Sequence, residues 1–214
     1  MKHAVTRSLV AAAIALGSGS SLALEQGDWI VRLGAAHVNP DASSDPLTNV
    51  AADARVDVDS NTQLGITLGY MYTDNIGFGL LAATPFKHDI KGAGDIAGLG
   101  KIGETKHLPP TLTLQYHFAP KSNVRPYVGA GINYTNFFSE KTVGLGNTKL
   151  ELDDSWGLAA EAGVDIDIND RWFVSGQLWY LDIDTDAKLT GDITDSAKVS
   201  IDPWVVMIGI GTTF

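Results

Sequence analysis

The side chains able to do chemistry in this chain are scattered. Five histidines stand at positions 3, 37, 88, 107 and 117, and they form none of the short spacings that hold a zinc ion. A lipid-directed hydrolase or acyltransferase would need a Ser or Asp nucleophile beside a His at a lipid-facing rim. His88 has the parity and height for such a base, but Ser60 and Ser139 lie in other connections, and no strand sets a Ser two residues from a His. No catalytic residue and no enzyme activity are therefore assigned. Gly92-Ala-Gly94 with Gly98 and Gly100 superficially suggests a phosphate cradle, yet the spacing is not GxGxxG and no helix follows. Asp182, Asp184 and Asp186 offer carboxylates to a divalent cation, and a solvated loop face accounts for them more simply. Asn133-Tyr-Thr135 is a glycosylation sequon placed inside a strand and carries no weight. With no Cys there is no disulfide and no thiolate metal site. No metal and no cofactor are expected.

The elements that hold these residues are strands. Trp204, Val206, Ile208, Ile210, Thr212 and Phe214 fall on one face of the last segment, and Val205, Met207, Gly209, Gly211 and Thr213 on the other, because side chains alternate at period two. One face is an apolar stripe with an aromatic at each end, as lipid contact and interfacial girdles require of a membrane barrel. A terminal Phe214 on such a strand fits delivery to a barrel-assembly machinery in a bacterial outer membrane.

The amino end agrees. Lys2 and Arg7 precede an uncharged apolar run, Leu9 to Leu16, and Ser21-Leu22-Ala23 offers small residues for a signal peptidase. Residues 1–23 are thus expected to be a cleaved signal peptide and 24–214 a single barrel domain. The apolar run is too short for a spanning helix, which takes about 20 residues. Removing Lys2 and Arg7 from the 15 basic residues leaves 13 against 25 acidic ones, a formal net charge of −12. That balance repels phosphates and disfavours a nucleic-acid partner.

Alternation recurs eight times, near 27–39, 61–73, 76–88, 107–118, 124–138, 153–168, 172–184 and 198–214. The connections alternate as well. Asp74-Asn75, Ala119 to Asn123 and Asn169 to Arg171 are tight, whereas 40–60, 89–106, 139–152 and 185–197 are long, polar and rich in Gly or Asp. The fold class is therefore all-β: an eight-stranded antiparallel transmembrane β-barrel with long extracellular loops and short periplasmic turns. Outward parity reads Leu64, Ile66, Leu68; Phe78, Leu80; Leu112, Leu114; Val128, Ile132; and Leu158, without a charge. Trp29, Tyr72, Trp156, Trp172, Tyr180 and Trp204 fall near strand ends as girdle residues.

Inward parity collects many glycines together with Arg32, Gln115, His117, Arg125, Glu161, Asp165 and Gln177. Opposite charges enclosed there must pair, which predicts a polar plug toward the periplasmic side. Above it the inward positions turn apolar: Leu81, Ala83, Pro85, Phe137, Trp179 and Leu181. Ordinary core packing explains any one of them. Together they favour an apolar vestibule, since a water-filled pore would call for polar lining. Pro85, Pro109 and Pro110 lie toward the outer ends of neighbouring strands and cannot donate ladder hydrogen bonds. They predict either a weak seam that forms a lateral opening or a plain end to pairing at the rim.

Several ordered blocks are also familiar: Leu80-Leu-Ala-Ala-Thr-Pro-Phe86, His107-Leu-Pro-Pro-Thr-Leu112, Arg125-Pro-Tyr-Val-Gly-Ala-Gly-Ile-Asn-Tyr-Thr135, Asp154-Ser-Trp-Gly157, Trp179-Tyr-Leu-Asp-Ile-Asp184 and Asp202-Pro-Trp-Val205. With them the chain resembles the OmpW family of outer-membrane proteins, AlkL-type proteins included. The resemblance implies a hydrophobic channel through an eight-stranded barrel, with lateral release of small hydrophobic molecules. It implies that Leu81 and Trp179 constrict the channel floor and that Pro109 and Pro110 flank the opening. Segments 40–60 and 139–152 match no block. The expected function is passive uptake of small hydrophobic solutes across the outer membrane, with outer-membrane lipid and lipopolysaccharide as neighbours. A structural or adhesive barrel is the rival, and it would not require the apolar set around Leu81 and Trp179.

Overall fold

The computed structural model describes residues 23–214, so the expected leader lies, except for Ala23, outside the described residues. Fifteen strands run through the described residues: β1 (Trp29–Asn39), β2 (Ser43–Ser44), β3 (Ala54–Val58), β4 (Asn61–Met71), β5 (Ile76–Ala83), β6 (Phe86–Gly94), β7 (Lys101–Leu108), β8 (Thr111–His117), β9 (Val124–Thr142), β10 (Lys149–Leu152), β11 (Ser155–Asp167), β12 (Phe173–Leu181), β13 (Asp184–Thr190), β14 (Asp195–Ser200) and β15 (Trp204–Thr213). Eight of them close a barrel in the order β1, β4, β5, β8, β9, β11, β12, β15, every neighbouring pair antiparallel. First and last strands meet through Trp29 and Phe214, whose backbones exchange hydrogen bonds of 3.0 and 2.9 Å. Closure removes the unpaired edges that lipid would not tolerate.

The faces follow parity. Leu64, Leu112, Ile132, Leu158 and Ile208 are exposed on the outside, while Ile30, Tyr127, Phe173 and Met207 are buried within. Glycines make the interior fit. A Cβ on Gly79 would meet Gln115, one on Gly129 would meet Glu161, and one on Gly163 would strike the Tyr127 ring. A barrel this narrow fills its interior with side chains, and these large ones need bare backbone opposite.

Three expectations are corrected at the outer end. Of the four segments read as polar loops, 89–106, 139–152 and 185–197 are half or more strand, while 40–60 holds only the short β2 and β3. β6 and β7 form a hairpin over 86–108, and β10, β13, β14 and β2 make a second, four-stranded sheet. β9 runs for 19 residues, where a tilted membrane strand needs about 9 to 11. Its outer half therefore stands beyond the bilayer and carries the β6–β7 hairpin. Short alternations such as Lys87-His-Asp-Ile-Lys91 escaped notice because one face is charged.

Pro85 is the second correction. It is exposed, and Phe86 is the buried neighbour. β5 ends at Ala83 and β6 begins at Phe86. A two-residue break with no ladder across it resets parity, so Phe86, His88 and Ile90 point inward. His88 is accordingly buried and not at a lipid-facing rim, which is the third correction.

Candidate functional site

The interior divides into a polar half and an apolar half. Toward the tight turns, Arg32 and Asp165, each 1 % exposed, form a two-pronged ion pair with Nε to Oδ1 at 3.0 Å and Nη2 to Oδ2 at 2.6 Å. The fork geometry suits a guanidinium facing a carboxylate, and the Arg32 guanidinium also lies 4.9 Å from the Tyr127 ring centre. Arg125 pairs with Asp167 at 2.6 Å. Gln115 donates to Glu161 at 2.8 Å, Thr113 donates to the same carboxylate oxygen, and His117 lies 3.3 Å from the Gln115 carbonyl. Gln177 donates to Ser175 at 3.1 Å and to Thr67 at 3.3 Å. All seven interior polar positions singled out in the sequence are buried together. Thr67, Thr113, Tyr127 and Ser175 join them, with half-buried Asp167 at the edge, and the same period-two parity would have included all five.

Above this network lies a packed apolar layer. Leu81, Phe86, Phe137, Trp179, Leu181, Val205 and Met207 belong to one buried cluster, with Ala83 against it. Trp179 is 1 % exposed and donates its indole N–H to Gln177 at 3.3 Å. Leu81, Trp179 and Leu181 thus pack together in one buried layer directly above the polar network.

The open space lies farther out. A cavity of about 90 Å³ is walled by Val38, Val56, Ile90, Phe137, Leu152, Leu189 and Val199, among others, with His88, His107, Thr105 and Thr185 as its sparse polar edge. Of the six lining residues expected, only Phe137 reaches it. Val38, His88, His107, Val199 and Ile201 come from the ends of segments read as strands, and most of the remaining wall, Val56, Ile90, Leu150 and Leu189 among it, comes from segments read as polar loops, whose apolar residues alternate with charges and so give no continuous hydrophobic run. His88 and His107, 19 residues apart in the chain, meet at 3.0 Å between their Nε2 atoms, and His88 Nδ1 lies 2.5 Å from the Asp59 carbonyl. Since a carbonyl accepts, His88 donates through Nδ1, and a neutral His88 then accepts at Nε2 from the His107 Nε2–H. Burial pushes His88 below its ordinary pKa and His107 down to about 3. Among the described residues no three His, Cys, Asp or Glu side chains gather as a metal site.

A smaller void of about 10 Å³ lies among Leu81, Ala82, Ala83, Phe86, Pro109 and Leu181. Here the barrel ladder is interrupted. The β5–β8 pairing ends at Leu81 with Thr111, and pairing resumes only at Phe86 with His107. Ala82 to Pro85 on one side and Leu108 to Pro110 on the other share no ladder pair among the described residues. Pro85, Pro109 and Pro110 all stand in this gap, and none has an N–H to close it.

Residues 25–214 match the family model described as the OmpW family. The chain is 51 % identical over 207 residues to "Outer membrane protein W" of Vibrio cholerae, covering 94 % of each. It is 32 % identical over 193 residues to "Dibenzothiophene metabolism operon protein PahQ" of Pseudomonas aeruginosa, covering 89 % of this chain and 90 % of that one. The crystal structure of the outer membrane protein OprG from Pseudomonas aeruginosa is similar, with a TM-score of 0.82 at 41 % identity, covering 91 % of this chain and 99 % of the other.

Proposed function

Since this chain belongs to the OmpW family and is an outer-membrane β-barrel of a Gram-negative bacterium, we propose that it is a passive conduit for small hydrophobic molecules. Solute would enter the outer cavity, rest on the Leu81–Trp179 floor and leave sideways through the gap at Pro85, Pro109 and Pro110 into the bilayer. The observation that carries this reading is the position of the apolar cavity: its wall includes His88 and His107, next to a stretch where Ala82 to Pro85 and Leu108 to Pro110 share no ladder pair, and it lies above the Arg32–Asp165 network. A solute stopped by ion pairs below and met by an unbonded wall beside it has a lower barrier sideways than straight down.

The relative whose name ties it to a dibenzothiophene metabolism operon supports an apolar cargo. The conduit needs no nucleotide, metal or catalytic residue, and its affinity is low so that cargo is released. Its surroundings are outer-membrane lipid and lipopolysaccharide, and Phe214 serves as its signal to the barrel-assembly machinery.

The test is uptake of a small apolar solute into vesicles carrying wild type, Leu81→Arg with Trp179→Arg, or Pro109→Ala with Pro110→Ala, folding being checked by heat-modifiable gel mobility. Loss in both variants supports vestibule and lateral exit. Uptake equal to empty vesicles in all three removes the conduit and leaves a structural or adhesive barrel.

A further inference from the structure

The outer rim of the barrel is divided by charge. The whole chain carries a formal charge of −10, and around the Tyr180–Trp204 pair the rim follows suit with Asp41, Asp182, Asp184 and Asp202. On the wall beside the ladder gap the sign reverses. Travelling outward along β8 and β7, the outward positions are Leu114, Leu112, Pro110 and Leu108, and the first charge is Lys106. Along β5 and β6 they are Phe78, Leu80 and Ala82, and the first charge is Lys87. These two lysines are direct cross-strand partners.

Like charges facing each other across a ladder destabilise it, so this pair calls for a counter-charge. The protein supplies too little. Glu104 is shared by Lys87 at 2.7 Å, Lys101 at 2.9 Å and Lys141 at 3.5 Å, and Asp89 pairs with Lys101 at 2.8 Å. Lys106 is exposed and makes no ion pair among the described residues. Four lysines therefore face two carboxylates, immediately beyond the last apolar positions of a membrane wall. The ammonium groups bracketing Glu104 hold its carboxyl down to about 2, so it stays charged at any working pH and already has its partners. Lys91, farther out, is satisfied by Asp59 at 2.7 Å.

We propose that Lys87, Lys106 and Lys141 form a docking site for the phosphate groups of lipid A in the outer leaflet, which seats a lipopolysaccharide molecule over the ladder gap. The chemistry matches in three respects. An ammonium is a point charge suited to phosphate without fixed geometry. The site lies at the level where the apolar wall meets water, where the phosphates of an outer-leaflet lipid lie. Below it, Leu108, Pro110 and Leu112 offer acyl chains an uncharged outward surface. A free inorganic phosphate would gain only the first of these, so the lipid is the favoured occupant. The proposal rests on the outer-membrane location and not on solute transport.

Binding is measured with the full barrel in detergent micelles by native mass spectrometry, against bisphosphorylated lipid A and against lipid A stripped of both phosphates. The wild type should retain the bisphosphorylated form at least about ten-fold better than Lys87→Gln/Lys106→Gln/Lys141→Gln, and both proteins should retain the phosphate-free form equally weakly. Lys106→Gln alone, which breaks no ion pair, should lose a part of the retention. Lys188→Gln, on the acidic side and paired with Asp153, should lose none. Equal retention by wild type and triple variant, or equal retention of both lipid forms by the wild type, overturns the site. Displacement of the lipid by millimolar inorganic phosphate would assign the lysines to free phosphate and also overturn it. Solute uptake into vesicles free of lipopolysaccharide is measured in parallel, so that a failed conduit and a failed lipid site give different results.

Discussion

Trp179 donates its indole N–H to the side-chain carbonyl of Gln177 at 3.3 Å, and the two residues are neighbours on the inward face of β12. The joint between the apolar and polar halves of the barrel therefore lies within a single strand. A large ring covers the network from above while its one polar atom is satisfied from below, an arrangement that a buried Trp requires.

Trp179→Ala should open the floor. Removing a buried indole costs about 3–5 kcal/mol, seen as a lower urea midpoint for unfolding from vesicles. It also joins the outer cavity to the polar interior, and the expected sign in planar bilayers is a rise in ion conductance above wild type. A variant equally stable and equally silent would show that Trp179 is not what closes the interior.

Asp165→Asn leaves Arg32 as a buried cation without its carboxylate. The expected loss is about 3–5 kcal/mol. Replacing both residues with apolar ones, Arg32→Met with Asp165→Leu, should recover most of it, because the desolvation cost disappears with the charges. Equilibrium unfolding of the single and double variants decides this.

Pro109→Ala with Pro110→Ala restores two N–H groups at the gap between β5 and β8. Hydrogen exchange at 82–85 and 108–111 should slow if a ladder then forms, and apolar uptake should fall with it. Faster uptake in the variant would mean that the prolines hold the wall together.

The His88–His107 pair predicts an acid-labile outer hairpin. Both rings are held below their ordinary pKa, His107 at about 3, whereas in the unfolded chain each titrates near 6.5. Between about pH 6.5 and 3 the unfolded hairpin binds more protons, so its stability is complete above the upper limit and declines as pH falls through that window. Limited proteolysis of 86–108 should accelerate over this range in wild type and much less in His88→Phe with His107→Phe. The pair is bracketed by Asp59 and Asp89, which favour the protonated form only weakly against burial.

The sequence by itself determined the barrel. Period-two alternation assigns each residue to lipid or interior before any strand is paired, because a charge on the lipid face is too costly to place there; the positions of Leu112, Ile132 and Arg125 follow from that alone. The polar network was legible for the same reason, since enclosed charges of both signs must meet, although which Asp meets which Arg required the register of β1, β11 and β9. What only the tertiary structure decided lies beyond the bilayer. There water accepts either face, alternation loses its penalty, and a two-residue break at Thr84-Pro85 reverses parity without a local signal. The outer cavity, the meeting of His88 with His107 and the facing lysines 87 and 106 all depend on long-range pairing of β6, β7 and β9, which no periodicity within one segment records.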